Sequence, residues 1–546
     1  MEKRLKGPRN PIFGIIFVFA FSAVSFSAVA NNFYITPDGK PQGACTANPQ
    51  TPAWFNNSSN WGSGSNQIGP GTTVTICGNF TAAAGANEFT FRGSGTSGNP
   101  ITLLFDTGAT LSAPYWSGSN GAINISGLSY LTVDGQNAGI IQNTANGDGL
   151  ANRQISMGIS GQRCNNCTVE NLTIANIYIA LKNYSNPLGG LATQMNAIYM
   201  TGSNWTLSGN TIHDCGWCIY IPYGSGDTNY QLSSNNIYNW DHAIMFAAPG
   251  AISCTAPCLL LHDNQIHDNI NWETPGCVYH LDGLHTFGTS GSSMDGVYIY
   301  NNYFFGALAG GCSSGFIFIE GGGSSTPSNL KNLYFWNNVG DATGADSANA
   351  NGWFGLFSAS ASMTVVNNTL LYNNTNDMTE CYAIGGATGG NVVNNLTFEN
   401  NVVNGCNLAI YIPELTGTTT IDQNFYGDAC SYSNNCFVWK GTFEGRLSAW
   451  QSACNCDSLS LVSTYLGALL NSDGSPQAGS PVIGVGTNLM SIASGNLASL
   501  KNDTSKGNTR TPIARPPTGP WDIGAYLYSS GGSRPNPPTG LTAIVE

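Results

Sequence analysis

All six histidines of this 546-residue chain, His213, His242, His262, His267, His280 and His285, fall between residues 213 and 285. Residues 183–330 contain no Lys or Arg, yet carry Asp214, Asp227, Asp241, Asp263, Asp268, Glu273, Asp282, Asp295 and Glu320. An imidazole oriented by a carboxylate is a general acid or base near neutral pH. Two imidazoles with one carboxylate are equally a ligand set for a divalent metal. The bland alternative is that Asp282-Gly283 is a turn and the histidines are solvated surface residues. The densest stretch is His280-Leu-Asp282-Gly-Leu-His285, and Trp240-Asp241-His242 is the second. The candidate catalytic residues are therefore His267, His280, Asp282, His285, Glu273, Asp241 and His242, with the metal left open. Tyr220, Tyr238, Trp240, Trp272 and His213 are the candidates for holding a substrate. Inverting hydrolysis would need two carboxylates about 6.5–9.5 Å apart, for which Asp241, Asp282 and Glu273 are available.

The elements that position these residues follow from a degenerate repeat, Asn-x-(apolar or Thr) before short β-rich runs. It begins at Asn210, Asn235, Asn264, Asn301, Asn337, Asn367 and Asn400, with spacings of 25, 29, 37, 36, 30 and 33 residues. A variable period in this range describes a solenoid whose insertions emerge as loops. No stretch has sustained helical periodicity, and Gly and Pro punctuate the chain. Asn suits a tight bend because it tolerates left-handed backbone, and amides stacked coil on coil bond one another. Alignment on the Asn places His213, Tyr238 and His267 in one outward column, beside inward Ile212, Ile237 and Ile266. A second outward column joins Tyr199, Tyr220, Met245, His285, Phe318 and Tyr411. Ten residues separate Asn210 from Tyr220 and Asn235 from Met245, but 21 separate Asn264 from His285. The extra residues, about 270–280, form a loop carrying Trp272 and Glu273. It is expected to roof a groove holding His267, His280, Asp282 and His285, bordered by Tyr238 and Tyr220.

Composition narrows the class. Only 9% of residues are charged and the formal net charge is −13, which offers no electrostatic footprint for nucleic acid. The hydrophobic share of 41% is ample for a core. Residues 1–30 read as a secretory signal peptide: Lys3, Arg4, Lys6 and Arg9, an apolar run from Ile12 to Val24, then Ala28-Val-Ala30. No later segment is apolar for long enough to cross a membrane. All 16 Cys follow the signal, as expected for disulfides in an oxidising compartment. Close pairs such as Cys164/Cys167 and Cys215/Cys218 fit disulfides better than zinc, and Cys277 is expected to bond Cys312 or another cysteine of a neighbouring coil. Residues 31–527 form the folded domain. Residues 528–546, rich in Ser, Gly and Pro, are a linker and tail.

The repeat, its Asn column and the strand runs resemble the right-handed parallel β-helix proteins of the pectin-lyase-like superfamily, over roughly residues 33–527. The resemblance implies an all-β solenoid of about a dozen coils, secreted, monomeric and directed at an extracellular polysaccharide. Segments 480–484 and 522–526 resemble the closing segment of bacterial members. The paired aspartates and Gly-His-Gly of the polygalacturonase type are absent. The pectate-lyase type uses Arg or Lys as its base, and the histidine region has neither; Trp240-Asp241-His242 matches one of its motifs only faintly. Uronates sit badly in so acidic a region unless calcium bridges them. Two readings stay open: a lyase, hydrolase or epimerase, or a non-catalytic glycan-binding or adhesive surface protein.

Overall fold

The computed structural model describes residues 32–147, 150–178, 195–248, 250–270, 281–288, 291–308, 313–320, 329–343, 354–358, 362–372, 380–385, 392–406, 408–428 and 436–529. Alternating burial such as iBiB in Thr73–Ile76 and BiBiB in Ile101–Phe105 marks strands with one face inward. Each pairs in parallel with its counterpart one coil away, so three sheets run the length of the molecule. The first sheet stacks from Asn32–Ile35 to Thr419–Asp422. The second runs from Asn79–Thr81 to Leu461–Ser463. The third runs from Phe89–Thr90 to Phe437–Trp439. This is a right-handed parallel β-helix. Among the described residues the α-helices are only Pro52–Asn56 and Leu447–Cys454; the latter closes the C-terminal end with Trp450 stacked 5.3 Å from Phe437.

An internal asparagine ladder fixes the bend between the first and second sheets. The Oδ1 of Asn235 accepts from the backbone N and the Nδ2 of Asn210, at 3.1 and 3.0 Å. The same pair of hydrogen bonds recurs through Asn264, Asn302, Asn338, Asn368, Asn401 and Asn424. The ladder ends on Ser460 and Asp457. In the later coils it is the second Asn of each Asn-Asn pair that stacks, one residue after the expected position. The first, Asn301, Asn337, Asn367 and Asn400, takes the left-handed turn with φ of 57°, 54°, 54° and 57°. Gly209, Ser234 and Asp263 do that work in earlier coils, which hid the distinction in the sequence.

The coils end at Leu461–Ser463, and the chain that follows runs back along the turn column as a strap. Asn400 Nδ2 donates to Thr487 O at 2.9 Å, Arg515 to Asn337 Oδ1 at 3.0 Å, and Ser505 Oγ to Asp263. The two expected closing segments pair with each other: Ile523 N donates to Val482 O at 2.9 Å and Gly484 N to Asp522 Oδ1 at 2.7 Å. Arg515 is buried and also bonds the carbonyls of Asn502, Gly524 and Ala525. Arg515→Ala strands those acceptors, so it should cost about 3 kcal/mol in a denaturant titration. A cost below about 1 kcal/mol would show that the strap is not pinned there.

Disulfides join Cys45–Cys77, Cys164–Cys167, Cys215–Cys218, Cys254–Cys258, Cys381–Cys406 and Cys454–Cys456. The CxxC pairs are thus bonded rather than zinc-binding. Cys277, Cys312 and Cys430 lie outside the described residues, as do the expected signal peptide and all but the first two residues of the expected tail. Among the described residues no helix is long and apolar enough to cross a membrane.

Candidate functional site

Strict alternation fails at one level of the third sheet, and the site forms there. In Thr211–Pro222, Asn236–Ala248 and Ser313–Glu320, two successive residues both enter the core: Cys218-Ile219, Ala243-Ile244 and Phe316-Ile317. Gly283 holds the equivalent place in Leu281–Gly288, where a Cβ would stand 2.5 Å from Phe316 O and 3.3 Å from Ile266. A double inward step leaves the flanking residues, three apart in sequence, on the same outer side. So Trp217 meets Tyr220, their rings 5.1 Å apart, and Asp282 meets His285.

Register then gathers the residues across coils. Trp217, His242 and Asp282 are successive partners, and so are Tyr220, Met245, His285 and Phe318. His285 Nδ1 lies 3.5 Å from Asp282 Oδ2, and His242 Nε2 lies 3.9 Å from the same oxygen. The two imidazoles stack at 5.6 Å and 20°. On its other side His242 meets Asp241, Nδ1 to Oδ1 at 2.6 Å. Exposure is 1% for Asp241 and His242, 0% for Asp282 and 5% for His285. Burial pushes the Asp241 carboxyl well above the usual carboxylate range. Burial, and then the charge of nearby His285, pushes the His242 imidazole well below its ordinary value. The Cys215–Cys218 disulfide clasps the strand segment that carries Trp217.

The expected second column is present in full register, from Tyr199 through Tyr220, Met245, His285 and Phe318 on to Tyr411. Tyr199 and Tyr220 make an edge contact at 5.3 Å, and Phe318 stacks on His285 at 4.8 Å. Tyr199, Tyr220 and Phe318 are partly exposed, so half-open aromatic rings flank the buried cluster along the solenoid axis. Burial, with Tyr199 adding to it, raises Tyr220 to about 12, which keeps its phenol a neutral donor.

His267 is not in this cluster. It lies in the second sheet, in register with Tyr238 and Phe305, because Asn236–Ala248 spans both sheets and pairs its first half with Gln265–Asn269. His213, Tyr238, His267 and Phe305 form a continuous stack at 4.7, 5.1 and 4.3 Å, with His213 and His267 held by Asp214 and Asp268. Those aspartates, with Asn239 between them, take left-handed turns with φ of 52°, 50° and 53°. Trp240 is fully buried in the core beside Cys215, so it cannot stack on a sugar: at that bend its side chain turns inward. His280, Glu273 and Trp272 lie outside the described residues. Trp217 was missed by sequence reasoning; its signal is its position three residues before Tyr220.

No protein-family model matches the chain, and no curated protein sequence matches it. Among solved structures it is similar to one described as the crystal structure of pectate lyase Pel9A. That alignment has 13% identity and a TM-score of 0.30, and covers 91% of this chain and 96% of the other.

Chemically, the cluster offers two imidazoles and two carboxylates out of water. Such an array can hold or move a proton, or ligate a cation. Among the described residues, His242, Asp282 and His285 present donor atoms that all lie within 4.8 Å of one another. One carboxylate and two nitrogens suit calcium poorly, since calcium takes six to eight oxygen ligands.

Proposed function

We propose that this protein is a secreted enzyme acting on an extracellular polysaccharide, with Asp282, His285 and the Asp241–His242 pair at its reactive centre. The observation that carries the reading is the placement of a buried His/Asp cluster within a row of partly exposed aromatic rings. Tyr199 and Tyr220 lie on one side and Phe318 on the other. Sugars stack their apolar faces on aromatic rings, and a parallel sheet repeats such rings about 4.8 Å apart. A chain lying along that row would pass over the cluster. Among the described residues, the disulfides and the absence of a membrane-crossing helix are compatible with secretion.

The purified mature chain should release product from at least one member of a panel of neutral and uronate-containing polysaccharides. New reducing ends without ultraviolet-absorbing unsaturated uronates mark a hydrolase, both together mark a lyase, and altered sugar stereochemistry without new ends marks an epimerase. Binding to a glycan with none of these changes would move the protein to the adhesive class.

A further inference from the structure

We propose that His242, Asp282 and His285 form a binding site for one first-row divalent transition metal of the zinc, cobalt or manganese class, with Asp241 as the residue that orients His242. The inference concerns the same cluster but does not rest on the polysaccharide reading.

Geometry comes first. Donor atoms bound at about 2.0–2.2 Å to one tetrahedral ion stand roughly 3.3–3.6 Å from each other. His285 Nδ1 and His242 Nε2 lie 3.5 and 3.9 Å from Asp282 Oδ2, so small side-chain movements would close all three on one centre. Ligand chemistry comes second. Two imidazoles and a carboxylate form a set used by zinc and by non-haem iron, whereas calcium and magnesium prefer oxygen. The third argument is the outer partner. Histidines that ligate metals hold their other ring nitrogen against a carboxylate, which sets the tautomer and turns the free lone pair toward the ion. Asp241 Oδ1, 2.6 Å from His242 Nδ1, is placed to do this and leaves Nε2 facing Asp282.

Charge supplies a fourth argument. Asp241 and Asp282 are both buried, in a stretch of chain, residues 183–330, that has no Lys or Arg. Buried carboxylates are tolerated when paired or bound to metal. A dication bound here would neutralise Asp282, the carboxylate of the ligand set.

The site is held by rigid parts. The ligands come from the neighbouring strands Asn236–Ala248 and Leu281–Gly288, both in the ladder, and none from a terminal coil. A site on adjacent paired strands keeps its geometry without metal, so removing the ion should leave the fold intact.

The test uses the full mature chain, stripped with chelator and titrated with Co2+ alone. The expected result is one equivalent bound, visible d–d absorption from nitrogen and oxygen ligands, a higher melting temperature than the stripped protein, and displacement by Zn2+. Asp282→Asn combined with His285→Gln should abolish the absorption. Asp241→Asn should keep the one-to-one stoichiometry and the band shape while weakening affinity about 10–100-fold, a readout that a merely structural role would not move. If the folded wild-type chain, verified by circular dichroism, binds no stoichiometric Co2+ or Zn2+, the metal site is wrong whatever the variants do. Binding that survives the double variant overturns it equally. Polysaccharide turnover that persists after chelation alongside absent metal binding would sink this inference and leave the functional reading standing.

Discussion

Asn338→Ala should destabilise the protein by about 4 kcal/mol or more, measured as loss of unfolding free energy in a guanidinium titration. Asn338 stands in the middle of the ladder and is fully buried. Its Oδ1 accepts from Asn302 N and Nδ2 at 3.1 and 3.0 Å, and its Nδ2 donates to Ile299 O at 2.9 Å. Its backbone N and Nδ2 both reach Asn368 Oδ1, at 3.0 and 3.2 Å. Truncation leaves two donors on Asn302 and the Ile299 carbonyl short of partners, each worth roughly 1–3 kcal/mol when buried. Backbone N–H to Asn368 survives, which keeps the estimate from rising further. Asn332→Ala is the control. Asn332 makes one side-chain bond, to Asp295 at 2.8 Å, at a partly exposed position, and should cost no more than about 1 kcal/mol. Equal effects of the two substitutions would mean that the ladder contributes no more than an ordinary surface bond.

The second large effect is on activity. His285→Ala and Asp282→Asn should each lower kcat on the responsive polysaccharide at least a hundredfold, within the span that a positioned acid, base or metal ligand supplies. The reason is that both groups share one small volume: Asp282 Oδ2 faces both imidazoles, so losing either partner removes the point where they converge. Chelator-treated variants should melt within a few degrees of chelator-treated wild type. His285 pairs in register with Phe318 and is not a member of the core cluster that holds Leu284 and Ile317, and Asn conserves the shape of Asp282. Variants that retain full turnover would assign the cluster a structural role.

Much of this was legible in the residues. The solenoid followed from the variable repeat, and the column through Tyr199, Tyr220, Met245, His285 and Phe318 followed from recurring Ala-Ile-Tyr-Ile patterns that tie register to the buried Ile. Two things were not. Asn-Asn pairs offer two candidates for one ladder position, and only the backbone shows that Asn235 stacks as the first of its pair whereas Asn302, Asn338, Asn368 and Asn401 stack as the second. The double inward step at Cys218-Ile219 and Ala243-Ile244 breaks period-two reasoning, which treats residues three apart as opposite. That step brings Asp282 to His285 and His242 to the same side. The expected groove joined His267 and His285 from two outward columns, and those columns belong to different sheets; Trp240, expected to hold a substrate, is turned into the core.

The central claim is that the cluster is a reactive centre set in a glycan-binding row, and one paired measurement addresses it: binding and turnover of the same polysaccharide by wild type and Asp282→Asn. The predicted result is similar binding by both, with product released at least a hundredfold more slowly by the variant. Binding by both with product from neither would contradict the claim and make the row a recognition surface alone.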